Sequence, residues 1–358
     1  MRRHLPLLLL LAAAATPAAA QRTVDWDTRF LFYADNTEFF SPYREGATWM
    51  GGRLFTELSY RATPKVEVRL GITADHMSGD TTFADTRPLI SMRYHGTHGT
   101  GVLGTLITED RHGLLEPMEV LQFDILRPVE YGGQWIEKRD HWGGEWFLNW
   151  RRLNTPTQRE EFDMGLLAHA DPLPWLRASG QYLWVHRGGQ LFGAGETVAN
   201  GRTSAVGLTV HDTLGPLGAS KLEGWFLSSG PGWLDSLPTG TDAQGTGTLF
   251  RASVQPWSSL TFSGVVWMGR GYNAFWGDPN YNSIGLKGHY RKERFYSEVG
   301  MNKVWLGPAG VSFEAQVRFH KEDRYNTESL SWASWEYSYR FIGKVPFGIR
   351  LWAEKTVQ

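Results

Sequence analysis

The sequence contains no cysteine, and its 358 residues carry almost no net charge. Without cysteine, the chain has no disulfide scaffold, no thiolate metal site and no cysteine nucleophile. Lys and Arg number 36 and Asp and Glu number 37, so the charge balance does not favour a nucleic-acid partner. Glycine-rich phosphate loops and nucleotide fingerprints are also missing. We therefore expect no nucleic acid, no cofactor and no bound metal.

Long apolar runs are confined to the amino terminus. Residues 1–20 begin with two arginines close to Met1, continue in an apolar run from Leu5 and end in three alanines. This order is typical of a cleaved signal peptide for export. Residues 21–358 are predicted to form a single domain, and no segment in that range is long and apolar enough to be a transmembrane helix.

Apolar and polar residues alternate through most of the chain after residue 20. The pattern is clearest at 66–75, VEVRLGITAD, and it recurs at 160–170 and 311–320. Alternation with a period of two predicts strands that have one apolar and one polar face. Several of these strands reach about ten residues, the length that a tilted membrane strand needs.

Short turns and longer polar loops separate the predicted strands in alternation. This asymmetry is typical of membrane barrels, which have short turns on one side and long loops on the other. Counting the segments predicts about eighteen antiparallel strands, with sixteen as the alternative. The higher count includes strands at 281–290, 330–341 and 346–355.

Aromatic residues make up 14% of the chain, and tryptophans stand near many predicted strand ends. Trp26, Trp142, Trp175, Trp267 and Trp305 are examples. Aromatic girdles at both membrane interfaces are characteristic of transmembrane barrels.

With these features, the chain resembles a Gram-negative outer-membrane β-barrel of the porin-like kind. Segments 35–40, 112–117 and 142–150 are similar to stretches of uncharacterised bacterial barrel proteins. The resemblance implies an all-β, antiparallel, up-and-down transmembrane barrel in the outer membrane, exported through the signal peptide. Its implied partners are outer-membrane lipid, lipopolysaccharide and the barrel assembly machinery.

The polar strand faces predict a lumen whose wall carries charges of both signs. We expect a channel that passes small polar solutes by diffusion, because a barrel of 16 to 18 strands is wide enough to hold water. The same charges could instead pair across strands and stiffen the wall. The predicted pore-lining residues are Arg53, Glu57, Glu67, Arg69, Asp75, Arg93, Glu145, Asn149, Arg151, Glu161, Asp163, Arg177, Arg251, Glu314, Arg318, Arg340 and Arg350.

The longest predicted loop, 108–128, combines apolar and charged residues. We predict that it folds into the lumen, where Arg111, His112, Glu116 and Glu119 would line a constriction. The alternative is an external cap. If the loop blocks the lumen, the protein would be a non-conducting structural or adhesive barrel.

No catalytic set stands out, and the chain is expected not to be an enzyme. A weaker alternative is the stretch 76–79, His-Met-Ser-Gly, which resembles the His-x-Ser element of outer-membrane lipid hydrolases. In that element, the serine (here Ser78) would attack an ester and the histidine (His76) would accept its proton. At the distance where such enzymes supply an orienting residue, this chain has residues 88–90, Pro-Leu-Ile.

Overall fold

The computed structural model describes residues 22–192, 198–232, 244–322 and 335–354. These residues form a closed barrel in which each strand pairs with its sequence neighbours and the first strand pairs with the last. All of these pairings are antiparallel. The predicted signal peptide at 1–20 lies outside the described residues.

Sixteen strands make up the described barrel. They are β1 (Thr23–Glu38), β2 (Ala47–Thr63), β3 (Val66–Met77), β4 (Asp85–His95), β5 (Gly99–Thr105), β6 (Tyr131–Lys138), β7 (Trp142–Arg152), β8 (Glu160–Leu173), β9 (Leu176–Gly188), β10 (Ala199–Thr213), β11 (Ala219–Gly232), β12 (Gly245–Trp257), β13 (Leu260–Arg270), β14 (Glu293–Leu306), β15 (Ser312–Glu322) and β16 (Glu336–Ala353). One short helix, α1 (Phe123–Leu126), lies between β5 and β6. Within the described ranges, no helix has the length and apolar character to cross a membrane.

Side chains alternate between the outside and the inside of the barrel, as the period of two predicts. On β3, Leu70 and Ile72 are exposed on the outer surface, whereas Thr73 and Asp75 are buried inside. The outer surface is therefore an apolar belt, and the interior is polar along the wall. This confirms the predicted antiparallel up-and-down barrel.

The strand number is the predicted alternative of sixteen, and the higher count fails at two places. Residues 346–355 were predicted as a separate strand, but β16 runs without interruption from Glu336 to Ala353. Pro346 suggests a turn, yet it lies where β16 has only one strand partner, because the pairing with β15 ends at Lys344. A missing backbone N–H is tolerated at such an edge position.

The second place is 281–290, which was predicted as a strand. The segment contains a short 3-10 helix (Leu286–Gly288) and a single bridge between Ile284 and Tyr290, and it lies inside the barrel, where Tyr281 and Ser283 are buried. Tyr281 packs against Trp267 and Tyr296 of the inner wall. The prediction of a strand at 281–290 is therefore wrong, because these residues lie inside the barrel and not in the sheet.

The two ends of the barrel differ. Short turns and both described termini lie at one end, the turn end, and the longer connections lie at the other, the loop end. Trp26, Trp142, Trp175 and Trp305 are exposed near the turn end, as an interfacial girdle requires. Trp267 does not belong to a girdle, because it is fully buried inside the barrel.

Three loop-end segments fold inward and fill that half of the barrel. We call residues 39–46, 106–130 and 271–292 the plug. Backbone hydrogen bonds join the three segments: Val120 N to Trp276 O (2.8 Å), Asp278 N to Glu116 O (2.9 Å) and Leu286 N to Pro42 O (2.7 Å).

Apolar packing fixes the plug against the wall. Leu115, Met118 and Tyr272 of the plug are buried in one cluster with Leu249 and Trp267 of the wall. The Trp267 ring contacts Tyr272 edge to face at 5.0 Å between centroids. The hydrophobic core of this barrel therefore lies inside it, at the loop end.

The turn-end half of the lumen contains two large cavities beneath the plug. One of about 1210 Å³ is lined by Asp27, Arg69 and Lys344 of the wall, among others. The other, of about 970 Å³, lies beside strand residues that include Arg177 and Arg251. The barrel therefore combines a filled loop end with a roomy turn end.

Candidate functional site

The plug segment 106–130 contains a backbone that L-residues rarely adopt. Asp110, Arg111 and His112 have φ angles of 50°, 49° and 59°, and Gly113 follows at 75°. Left-handed backbone costs about 1–2 kcal/mol for each non-glycine residue. Such a conformation persists only where its surroundings hold it, and the contacts of the His112 ring supply that support.

His112 is held between two glutamates. Its Nε2 lies 3.0 Å from Glu130 Oε2, and its Nδ1 is hydrogen bonded to Glu145. Its ring stacks on Phe147 at 3.9 Å between centroids. Two carboxylate partners require both ring nitrogens to donate, so the ring is an imidazolium. Burial alone would lower the pKa of His112, but the hydrogen bonds that the ring donates to Glu130 and Glu145 raise it to about 10.

This ion cluster predicts a pH dependence of stability. Because the pKa of His112 is about 10 in the folded protein and about 6.5 when unfolded, its charge stabilises the fold fully below about pH 6.5. The contribution is lost as the pH rises toward about 10, with a slope of at most about 1.4 kcal/mol per pH unit. We expect urea unfolding of the protein to show this decline, whereas His112→Gln lacks it. If the unfolding free energies of the two proteins change with pH in parallel, the assignment of this pH dependence to His112 is wrong.

Beside His112, a second buried cluster is centred on Arg151. The guanidinium is paired with Asp163 of β8 and lies 3.4 Å from Glu119 Oε1 and 3.7 Å from Glu130 Oε1 of the plug. Burial and the neighbouring Glu130 raise the pKa of Glu119 to about 7. The described residues contain no group of three or more His, Cys, Asp or Glu side chains arranged to hold a metal ion.

Most of the predicted pore-lining charges are paired in the structure. Glu145 contacts His112, Glu314 accepts from Asn302 and Asn149 donates to Asp163. The ion pairs are Arg53 with Asp75, Arg69 with Glu57 and Glu67, Arg151 with Asp163, Arg152 and Arg187 with Glu161, Arg177 with Asp171, Arg251 with Glu223, Arg318 with Glu116 and Glu298, Arg340 with Asp35 and Asp124, and Arg350 with Asp25. Arg93 lines the first cavity and is half-buried.

The residues of the predicted constriction loop lie inside the barrel. Arg111, His112 and Glu119 are buried, and Glu116 reaches the wall, where it accepts from Arg318 at 2.8 Å. They serve as anchors of the plug. Whether they also restrict the passage of solutes stays a prediction.

A third cluster, near the loop end, was missed by the sequence analysis. On β15, His320 Nε2 lies 2.9 Å from Ser338 Oγ of β16. Its Nδ1 lies 2.6 Å from the Tyr296 hydroxyl and 3.4 Å from Glu298 Oε2, both on β14. Tyr296 Oη is in turn 2.8 Å from Glu298. The only signal in the sequence is that these charged residues occupy polar positions in the alternation of their strands: His320 and Arg318 in β15, and Glu298 in β14.

The His76 and Ser78 pair lies elsewhere. His76 is on the outer surface of β3, with its ring 6.1 Å from Phe83, and no side-chain hydrogen bond joins it to another described residue. Ser78 is exposed just beyond the strand end. The two residues do not contact the polar interior.

Solved structures share this fold. OccK8 (OprE) of Pseudomonas aeruginosa has a TM-score of 0.55 at 9% identity, covering 91% of this chain and 98% of the other. A loop L8 deletion mutant of OmpT, an outer membrane protein of Vibrio cholerae, has a TM-score of 0.54 at 9% identity, covering 91% and 99%. With its apolar outer belt, the chain is an outer-membrane β-barrel of a Gram-negative bacterium.

The comparison by sequence gives one informative match. No curated protein is significantly similar to the chain, but the model of the Lipid A 3'-O-deacylase-type family matches residues 16–342. A deacylase is an enzyme, so the expectation that the chain is not an enzyme is wrong. Because the match spans most of its length, the chain belongs to the Lipid A 3'-O-deacylase-type family.

Proposed function

We propose that this protein hydrolyses an acyl ester of lipid A in the outer membrane. The observation that carries the proposal is the family match over residues 16–342. Removal of an acyl group from a 3'-O position is the hydrolysis of an ester. Water is the second substrate, and a free fatty acid and an alcohol are the products.

The distribution of polar groups supports the proposal. The loop end is filled by the plug, and the buried histidine His320 lies there 3.4 Å from the carboxylate of Glu298. Histidine is the side chain most often used to transfer protons in ester hydrolysis. In an outer-membrane barrel the long loops face the outside, which puts this half in the leaflet that contains lipid A.

The depth of the site also fits a lipid ester. Trp335, Tyr337 and Tyr339 point outward at the loop end of β16, and all three are exposed. Tryptophan and tyrosine prefer the boundary between headgroups and acyl chains. Ester bonds of lipids lie at the same depth, so the loop-end clusters are level with the bond to be cleaved.

The proposal is tested in cells. Lipid A from a Gram-negative host that produces the protein is expected to lose one ester-linked acyl chain, as measured by mass spectrometry of extracted lipid. Lipid A from the same host without the protein serves as the control. Unchanged lipid A in cells whose protein is folded, as shown by heat-modifiable migration on gels, would contradict the proposal.

A second candidate function is passage of small polar solutes, as predicted from the sequence. The two cavities of the turn-end half favour it, because they provide wide, charged space on one side of the plug. Purified protein in planar bilayers would then give stepwise conductance. Folded protein that gives no steps would rule this function out and would leave the hydrolase proposal intact.

A further inference from the structure

The larger of the two turn-end cavities is lined by an arginine that has no anionic partner. Arg127 follows α1 in the plug segment 106–130, is half-buried and faces the cavity of about 1210 Å³. Within the described ranges, no carboxylate oxygen lies within 4.0 Å of its guanidinium, and no side-chain hydrogen bond occupies its N–H groups. A guanidinium has five such donors, so Arg127 presents unused hydrogen-bonding capacity to the cavity.

Two aromatic rings of the plug hold the Arg127 guanidinium in place. Its Cζ lies 4.1 Å from the centroid of the Trp276 ring and 4.5 Å from that of the Phe123 ring. Arg151 contacts the same two rings, with its Cζ 4.8 Å and 5.3 Å from their centroids. A guanidinium that packs on aromatic faces keeps its N–H groups available at the edge of its plane. The Arg127 side chain is therefore ordered before a ligand arrives, which lowers the entropic cost of binding.

The carboxylates around Arg127 are engaged with other cations. Those that attract it are Glu161, Asp163 and Glu119. Glu161 pairs with two arginines of the wall, and Asp163 and Glu119 pair with Arg151. Burial raises the pKa of Glu119 to about 7, so this carboxyl is only partly ionised at neutral pH. Because a half-buried cation is costly without its own counter-ion, an anion in the cavity would stabilise Arg127.

A small solute can reach Arg127 from the turn end. The cavity extends from the underside of the plug to Asp27 and Gly348, which are exposed near the turn end of β1 and β16. Its volume is sufficient for an organic anion as well as an inorganic one. The short turns of an outer-membrane barrel face the periplasm, so the solute comes from that compartment.

We infer that Arg127 binds the oxyanion group, a phosphate or a carboxylate, of a small solute that enters the turn-end cavity from the periplasm. A planar guanidinium forms two parallel hydrogen bonds with either group. The binding is non-covalent and requires no cofactor. The site lies beneath the plug and does not depend on the proposed ester hydrolysis, so a protein that is inactive toward lipid A would still bind the anion.

Calorimetric titration of the purified, detergent-folded protein with inorganic phosphate and, separately, with succinate tests the site. At least one of the two anions is expected to bind saturably, and the one that binds shows whether the solute is phosphorylated or a carboxylate. Arg127→Gln should raise its Kd at least about 10-fold, because two charge-assisted hydrogen bonds are lost.

The matched control is Lys344→Gln. It removes the same charge from the wall of the same cavity, but Lys344 is exposed, so water and salt screen its charge and the Kd should hardly change. No saturable binding of either anion to the folded wild-type protein would overturn the inference. Equal weakening by the two substitutions would also overturn it, because the anion would then respond only to the overall charge of the cavity.

A labelling experiment on the wild-type protein keeps the inference testable even if Arg127→Gln does not fold. Phenylglyoxal reacts with arginine and should modify Arg127, as located by peptide mass spectrometry. At about ten times its Kd, the bound anion should slow this reaction about 10-fold by mass action. Modification of Arg350, whose side chain is 60% exposed, should continue at the same rate. No protection of Arg127, or equal protection of both arginines, would overturn the inference. Neither experiment measures fatty-acid release, so failure here is distinct from failure of the proposed hydrolysis.

Discussion

Replacing Arg151 by methionine is expected to lower the free energy of unfolding by about 3–5 kcal/mol. Arg151 is 8% exposed and is the cation shared by Asp163, Glu119 and Glu130. Its guanidinium also lies over the Trp276 ring, 4.8 Å from the centroid. Without it, Asp163 is left buried without the cation that it pairs with, and Glu119 and Glu130 lose one of the positive charges that compensate them. The wall is then destabilised, and so is the attachment of the plug to the wall.

The matched control for this variant is Arg350→Met. Arg350 also makes an ion pair on the inner wall, with Asp25 at 2.7 Å, but its side chain is 60% exposed. Exposed pairs contribute little to stability, because solvent screens their charges. Urea unfolding followed by tryptophan fluorescence should separate the two variants. Equal losses of unfolding free energy in the two variants would show that burial does not determine how much the Arg151 cluster contributes to stability.

The second large effect is expected at His320. His320→Gln should lower kcat for fatty-acid release at least about 10³-fold while KM changes little, because this buried histidine transfers protons in the proposed hydrolysis and does not bind the lipid. Glutamine keeps a polar group in the pocket but cannot accept and return the proton. Tyr296→Phe should cause a smaller loss of kcat, since Nδ1 still lies 3.4 Å from Glu298.

His112→Gln provides the comparison for these variants. His112 is an imidazolium fixed by Glu130 and Glu145, so it is not available as a base. Its substitution should reduce stability more than kcat per folded molecule. If His112→Gln abolishes turnover in folded protein and His320→Gln does not, the catalytic base has been assigned to the wrong cluster.

The barrel itself could be predicted from the sequence, because the alternation of apolar and polar residues that produces it is visible within each strand. Alternation at 66–75 shows one face of β3 in lipid and the other inside, and the real strand is Val66–Met77. The strand number depended on interactions that are not local. Pro346 is accommodated because β15 ends its pairing at Lys344, and no pattern within β16 reveals this.

The interior was harder to predict, since it depends on how distant segments meet. Segment 108–128 was expected in the lumen from its apolar and charged residues. Its partner in the plug, 271–292, was not, because residues 281–290 resembled a strand. Trp267 was assigned to a membrane girdle, because a tryptophan near a strand end has the same sequence signal whether it faces lipid or the plug. Its burial requires a glycine at position 247 of the neighbouring strand β12, where a Cβ would lie 1.9 Å from the ring.

The third cluster could not have been found from spacing. Ser338 and His320 are brought together by the register of β15 and β16, and Tyr296 and Glu298 by that of β14 and β15. A shift of one residue in either pairing would send these side chains to the lipid face. Only the three-dimensional structure fixes that register.

Isotope incorporation shows directly whether this barrel hydrolyses an acyl ester. Purified wild-type protein is incubated with lipid A in water enriched in oxygen-18, and the released fatty acid is analysed by mass spectrometry. The released fatty acid is expected to carry one oxygen-18 atom, with a matching amount of lipid A that has lost that acyl chain. Intact lipid A and no labelled fatty acid, from protein that is folded by its gel mobility, would contradict the proposed hydrolysis.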